Sequence, residues 1–204
     1  MAYMENNINS SSGNKVPGKS KIKEHLKNLW DLVKFAALAL AIVIPVRMFI
    51  AQPFVVSGES MVPTFQNGQY LIVDEISYLL NGAHRGDVVI FKYPGDPTRF
   101  FIKRLIGMPN EKITISNGKV KIINKENPDG FILEEPYINE KDFEGTTYET
   151  GADQYFVMGD NRNRSSDSRS WGLVPKKLLV GRAYLRLLPV KDISYLPGSY
   201  KEVK

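Results

Sequence analysis

Phe100-Phe101-Ile102-Lys103-Arg104-Leu105-Ile106-Gly107 is an apolar, strand-like run that carries a lone lysine. Period-two alternation places Phe101 and Lys103 on one face and Phe100, Ile102 and Arg104 on the other. Lys103 therefore shares a face with an aromatic ring, and desolvation there lowers an amine's pKa. Read locally, the same lysine fits an edge strand whose charged tip faces solvent.

The segments around this run are β-like as well. Asp87–Tyr93 is a strand bounded by Gly86 and by Pro94-Gly95, and Gln69–Val73 follows the pair Asn67-Gly68. Ile113–Ile122 predicts a hairpin, with alternating flanks around Asn117-Gly118, a pair that tolerates positive φ. Tyr155–Met158 and Ala183–Leu188 add two more strands. Beyond residue 60 only Ile76–Leu80 and Pro175–Leu179 look helical, and both are short. There is no internal repeat. The expected fold class is mainly β, with about 150 residues after the N-terminal segments, enough for one domain with its own core.

Upstream lies Ser57-Gly58-Glu59-Ser60-Met61-Val62-Pro63-Thr64. Gly58 lets backbone approach a ligand closely, and Pro63 stiffens the exit of the turn. A backbone N–H at such a turn can serve as an oxyanion donor. A serine in a turn is most often structural. It becomes a nucleophile only if a base takes its proton, and a lysine does so near neutral pH only when burial lowers its pKa. Downstream, Met158–Gly172 is a loop dense in charges of both signs. Asp160, Arg162, Asp167 and Arg169 can form ion pairs that hold it rigid.

The N-terminal region is different in kind. Residues 1–27 form a basic tail, rich in Asn, Ser, Gly and Lys and read as disordered. From Asn28 to Ala51 the chain is apolar, and Phe35–Val46 carries no charge. At 1.5 Å per residue, about 24 residues reach roughly 36 Å, enough for a bilayer core. Lys34 and Arg47 then snorkel to the interfaces, and Pro45 kinks or ends the helix. A cleavable signal peptide is a poorer reading, because the preceding region is long and Phe49 suits a cleavage site badly. A buried core helix is a further alternative. An interfacial amphipathic helix fits less well, because the stretch is apolar on all sides. The favoured reading is one transmembrane anchor at 28–51. Lys15, Lys19, Lys21, Lys23, Lys27 and Lys34, against Glu5, Glu24 and Asp31, put the N-terminus in the cytoplasm. Residues 52–204 then form an extracytoplasmic domain on the outer side of the cell membrane.

Net charge is only +5 over 204 residues. The basic tail lacks interleaved aromatics, so a nucleic-acid partner is not expected. The chain has no cysteine and two distant histidines, His25 and His84. These exclude disulfides, a thiol nucleophile and a His-rich metal site. His84 reads as part of an exposed turn.

Four motifs occur in order behind the apolar run: Ser-Gly-Glu-Ser-Met-Val-Pro-Thr at 57–64, Arg-Gly-Asp-Val-Val at 85–89, Lys-Arg-Leu-Ile-Gly-Met-Pro at 103–109, and Gly-Asp-Asn-Arg…Ser-Ser-Asp-Ser-Arg at 159–169. Together they resemble the bacterial type I signal peptidase (leader peptidase) family from the anchor to about Gly181. The resemblance implies a membrane-bound serine endopeptidase with a Ser/Lys dyad and an all-β catalytic domain of coiled antiparallel sheets. It implies Ser60 as nucleophile, Lys103 as general base and Ser165 as a hydrogen-bond partner of the amine. Asp167 and Arg169 match a structural ion pair, with Asp160 and Arg162 in support. Phe54, Val56, Met61, Phe101 and Ile102 match the pockets that accept small residues before the cut, in Ala-X-Ala-like sequences. The implied partners are signal-peptide-bearing preproteins, membrane lipid and a nearby export translocon, with no metal or cofactor. One position departs from the pattern of some members: Gly58 stands where they carry an oxyanion-hole serine, so the implied oxyanion hole relies on the Ser60 backbone N–H and another donor. Residues 110–151 carry no implied role. Self-cleaving repressor proteases share the dyad but call for a DNA-binding N-terminal domain. Endoplasmic-reticulum-type signal peptidases carry histidine where Lys103 stands. An anchored, non-catalytic β-domain that binds exported chains remains the alternative from another class.

Overall fold

Helix α1 (Lys19–Pro45) is the first regular element of the computed structural model, which describes residues 19–45, 52–139 and 143–200. The chain divides into two units, Met1–Ile44 and Pro45–Lys204. α1 starts inside the stretch expected to be disordered, which corrects that expectation for residues 19–27. Lysine, glutamate and leucine are good helix formers, and their propensity carries the helix back from the apolar run. The remainder of the expected tail, residues 1–18, lies outside the described residues. Leu29, Trp30, Phe35, Leu38 and Ile42 are all exposed. Among the described residues no helix is long and apolar enough to cross a membrane. The expected anchor continues to Ala51, and its residues 46–51 lie outside the described ones.

The second unit is mainly β. Its larger sheet contains β1 (Gln52–Val55), β2 (Tyr70–Asp74), β3 (Val88–Tyr93) and β4 (Asp96–Gly107). A smaller sheet follows, of β5 (Lys112–Ser116), β6 (Lys119–Ile123), β7 (Phe131–Ile132) and β8 (Thr147–Glu149). The chain then returns to the larger sheet with β9 (Gln154–Met158), β10 (Val174–Pro175), β11 (Leu179–Leu188) and β12 (Ser194–Tyr195). Helices α2 (Ile76–Asn81) and α3 (Ser168–Trp171) are short. The helical piece expected at Pro175–Leu179 is a single 3₁₀ turn, Lys176–Leu178.

The larger sheet has the order β1-β2-β11-β3-β4-β9-β10, with β12 beside β11; the smaller runs β7-β6-β5-β8. Every pairing is antiparallel. The β5–β6 hairpin turns at Asn117-Gly118 as the sequence predicts, with φ of 50° and 66°. Ile106, Ile113, Ile115, Val120, Ile122 and Phe156 form a core where the two sheets meet. A side chain at Gly107 would strike Ile113 and Phe156, at 2.7 and 2.9 Å, so only glycine permits this approach.

One consequence of the pairing places the site. Four antiparallel steps separate β1 from β4, through β2, β11 and β3, so β1 and β4 run in the same direction. Among the described residues, β1 pairs only with β2, and β4 meets β9 only from Arg104 onward. Residues 96–103 therefore keep one free edge, as does β1. The sheet coils until these edges face each other, and the Phe54 and Phe100 rings meet at 5.3 Å. Residues of both strands line one cleft between them.

Candidate active site

Ser60 lies in the turn that leaves β1. Gly58 has φ +94°, a conformation that glycine accepts at little cost, and its N–H donates to Asn67 Oδ1 at 3.0 Å. The turn is also held from the far loop. Asn161 N–H donates to the Ser60 carbonyl at 3.0 Å, and Asn161 Nδ2 donates to the Glu59 carbonyl at 3.1 Å. A side chain at Gly159 would collide with Ser165 and with the Ser60 carbonyl, so this glycine lets the loop approach the turn.

β4 carries Lys103 to the same point. Its Nζ is 2.7 Å from Ser60 Oγ and donates to the Ile102 carbonyl at 3.0 Å. It lies 5.4 Å from the centre of the Phe101 ring, the neighbour that alternation predicted. Lys103 is only 5% exposed. Burial lowers its pKa from 10.5 to about 8, while the charges of Asp167 and Asp160 pull it back upward. A neutral amine within hydrogen-bond reach of a hydroxyl can act as a general base.

The polar loop is rigid, although its pairs differ from those expected. Asp167 and Arg169 do pair: Arg169 Nε donates to Asp167 Oδ1 at 2.8 Å and Nη2 to Oδ2 at 2.9 Å. Asp167 also caps α3 and accepts the Gly159 N–H at 3.0 Å. Asp160 instead receives Arg104, with Nε to Oδ1 at 2.8 Å and Nη2 to Oδ2 at 2.6 Å. Thr64 Oγ1 donates to the same carboxylate. Arg162 donates to both carboxylate oxygens of Glu135 and, through Nε, to the Gly159 carbonyl at 3.1 Å. Arg104, Arg162 and Asp160 are almost fully buried, and buried charges persist only when paired and hydrogen-bonded. Ser165 Oγ is buried beside Ser60 without a hydrogen-bond partner, so the expected bond to Lys103 is not made here.

A cleft of about 570 Å³ runs from Ser60 and Lys103 along β1 and β4. Phe54, Val56, Phe101 and Ile102 line it, joined by Val55, Leu71, Ile90 and Phe100. Met61 does not line it, which corrects that assignment. The Phe65 N–H bonds back to the Met61 carbonyl at 2.8 Å, and Met61 is 1% exposed in a core with Phe65, Leu71 and Val73. Glu59 and Arg164 pair at 3.1 Å at the Ser60 end of the cleft. His84 is exposed, as its turn suggested. Among the described residues no cluster of three or more His, Cys, Asp or Glu side chains is arranged to hold a metal.

Sequence reasoning missed Glu135 and the true partners of Asp160. Glu135 lies in the segment given no role and is remote in sequence from Arg162, so nothing local links the two. For Arg104 a signal existed: alternation set it on a face with Phe100 and Ile102, where a buried guanidinium needs a carboxylate.

A family model described as signal peptidase, peptidase S26, matches residues 29–188. A signal peptidase I from Leptolyngbya laminosa is 36% identical over 183 residues, covering 84% of this chain and 87% of its own. A probable signal peptidase I-2 from Synechocystis is 37% identical over 177 residues, covering 83% and 78% respectively. Signal peptidase I P from Bacillus subtilis subsp. natto is 35% identical over 185 residues, covering 86% and 97%.

Proposed function

Because the chain belongs to the signal peptidase family, peptidase S26, we propose that it removes N-terminal signal peptides from exported preproteins with a Ser60/Lys103 dyad. It is a serine endopeptidase, a hydrolase of the peptide bond. The observation that carries the dyad is the 2.7 Å contact between a buried amine and the Ser60 hydroxyl. The substrate enters as the missing strand between β1 and β4, where main-chain hydrogen bonds give affinity and side-chain pockets give selection. Val56, Phe101 and Ile102 shape small pockets that admit alanine-like residues and exclude larger ones.

Neutral Lys103 takes the Ser60 proton as Oγ attacks the scissile carbonyl, and the Ser60 backbone N–H holds the oxyanion. Lys103 then returns the proton to the leaving amine. It next activates a water that hydrolyses the acyl-enzyme. Ser165, whose Oγ is otherwise unbonded, turns to hold the amine during transfer. Asp167–Arg169, Arg104–Asp160 and Arg162–Glu135 fix the loop that clamps the Ser60 turn. The chemistry needs no metal or cofactor.

In the same reading, residues 28–51 are a single membrane anchor. The exposed apolar side chains of α1 support this, since such a surface suits lipid on all sides. The basic residues before it put the tail in the cytoplasm and residues 52–204 outside, near the translocon's exit and the end of a membrane-embedded signal sequence.

The test is incubation of the detergent-solubilised chain with a signal-bearing preprotein and mass identification of the new N-terminus. A cut after a small-X-small sequence, lost in Ser60→Ala and Lys103→Met, is expected. Binding without a product from the wild type would favour an anchored, non-catalytic binding domain instead.

A further inference from the structure

We propose that Gly198, in the C-terminal turn Leu196–Ser199, is a positioning residue for the cleavage reaction: it holds Arg104 and Thr64, and through them the Ser60 turn. The inference rests on the function proposed above and extends its machinery to a segment outside the four sequence motifs. β12 ends at Tyr195, and Leu196 redirects the chain with φ +44°. The Leu196 N–H donates to the Tyr184 carbonyl of β11 at 2.7 Å, and the Ser199 N–H closes the turn on the Leu196 carbonyl at 3.0 Å. Pro197 is buried. The turn is thus pinned to the larger sheet.

Arg104 is fully buried, so its N–H groups need acceptors inside the protein. Nε and Nη2 donate to Asp160, and Nη1 donates to the Gly86 and Gly198 carbonyls at 2.7 and 2.5 Å. The guanidinium also lies over the Tyr137 ring, 3.7 Å from its centre. Without the Gly198 carbonyl, one Nη1 proton is left unpaired in a dry site, and the fork that orients Asp160 loosens. Asp160 in turn borders the Ser60 turn. Its carboxylate accepts from Thr64 Oγ1, four residues after Ser60, and the next residue, Asn161, clamps the Ser60 carbonyl. The second contact is steric. Gly198 has φ +74°, and a Cβ there would lie 2.5 Å from Thr64 Cγ2, so only glycine lets the turn seat this closely. Gly86 makes matching room, because a Cβ there would lie 2.6 Å from the Tyr200 carbonyl oxygen. The glycine of the Arg85-Gly86-Asp87 motif thereby admits the chain just after the turn.

The test measures kcat and KM in detergent on a soluble small-X-small peptide, per molecule folded by circular dichroism. Gly198→Ala should lower kcat by about tenfold, since ångström-scale misplacement costs up to about 10²-fold. KM should be unchanged, because the substitution does not touch the cleft along β1 and β4. Thr64→Ser removes the Cγ2 methyl and keeps the hydroxyl that bonds Asp160. In that background Gly198→Ala should cost far less kcat. The urea midpoint should still lie below that of Thr64→Ser alone, because the positive-φ strain remains. A chain ending at Pro197 loses the carbonyl without gaining a collision, and its kcat should fall in both backgrounds. Gly198→Ala with wild-type kcat, or with an equal kcat loss beside Thr64→Ser, overturns the positioning role. So does a folded chain ending at Pro197 that keeps wild-type kcat. A raised KM at unchanged kcat would put Gly198 at work on substrate binding and overturn it too. Failure of both variants to fold would make Gly198 a stability element only, which again overturns it. A wild type that binds the peptide without cutting it sinks the functional reading, and this role with it.

Discussion

In the proposed mechanism Lys103 is the general base, and its environment bears on that role. Burial favours the neutral amine, and the Asp160 and Asp167 carboxylates oppose it, leaving a pKa of about 8. The base works only when unprotonated. Activity should therefore rise with pH, about tenfold per unit in kcat/KM well below that pKa, and level off above it. A profile flat from pH 6 to 9 would mean that lysine is not the titrating base. Lys103→Met should lower kcat by at least about 10²–10⁴-fold, the usual worth of a positioned general base. Circular dichroism should show an unchanged fold, since methionine fills the same apolar channel. Gly159 offers a separate check. Gly159→Ala adds a methyl against Ser165 and the Ser60 carbonyl, so it should reduce kcat several-fold even though the substitution conserves hydrophobic character.

At the scale of elements, the loop after β9 acts as a clamp on the turn after β1, and β4 carries Lys103, the proposed base, between them. The clamp is anchored from the smaller sheet's side of the domain by Glu135, which neutralises the buried Arg162. Removing one partner of a buried pair leaves the other charge uncompensated, which costs about 3–5 kcal/mol. Glu135→Ala should therefore lower the urea midpoint sharply. Arg162→Met made in the same background should recover part of the loss, because it removes the orphaned charge. A midpoint within experimental error of wild type in Glu135→Ala would show that the pair contributes little. The same element logic explains which strands alternation could find. The β5–β6 hairpin shows period two, and β2, β3 and β9 are apolar runs of five or six residues bounded by turn residues, so each was legible. β7, β8, β10 and β12 have two or three residues each, too few for any period to register.

For the whole molecule, the coiled larger sheet brings two free strand edges face to face, and the proposed function fills that gap with substrate. A division of labour between the two units follows. A chain restricted to residues 52–204 should still cut a soluble small-X-small peptide, yet fail to sediment with lipid vesicles that retain the full chain. Equal sedimentation of both would remove the anchor from the apolar run. The sequence by itself determined the β character of the domain, the Asn117-Gly118 turn, the shared face of Phe101 and Lys103, and the Ser60 and Lys103 motifs. All of these are local: side-chain period, turn chemistry and contiguous motif residues depend on neighbours along the chain. Only the tertiary structure decided that Asp160 pairs with Arg104, that Glu135 neutralises Arg162, that Met61 turns into the core, and that β1 and β4 come to line one cleft. Those outcomes depend on which distant segments pack together once the sheet coils. A buried charge takes whichever partner that packing brings within reach, and spacing along the chain carries no record of it.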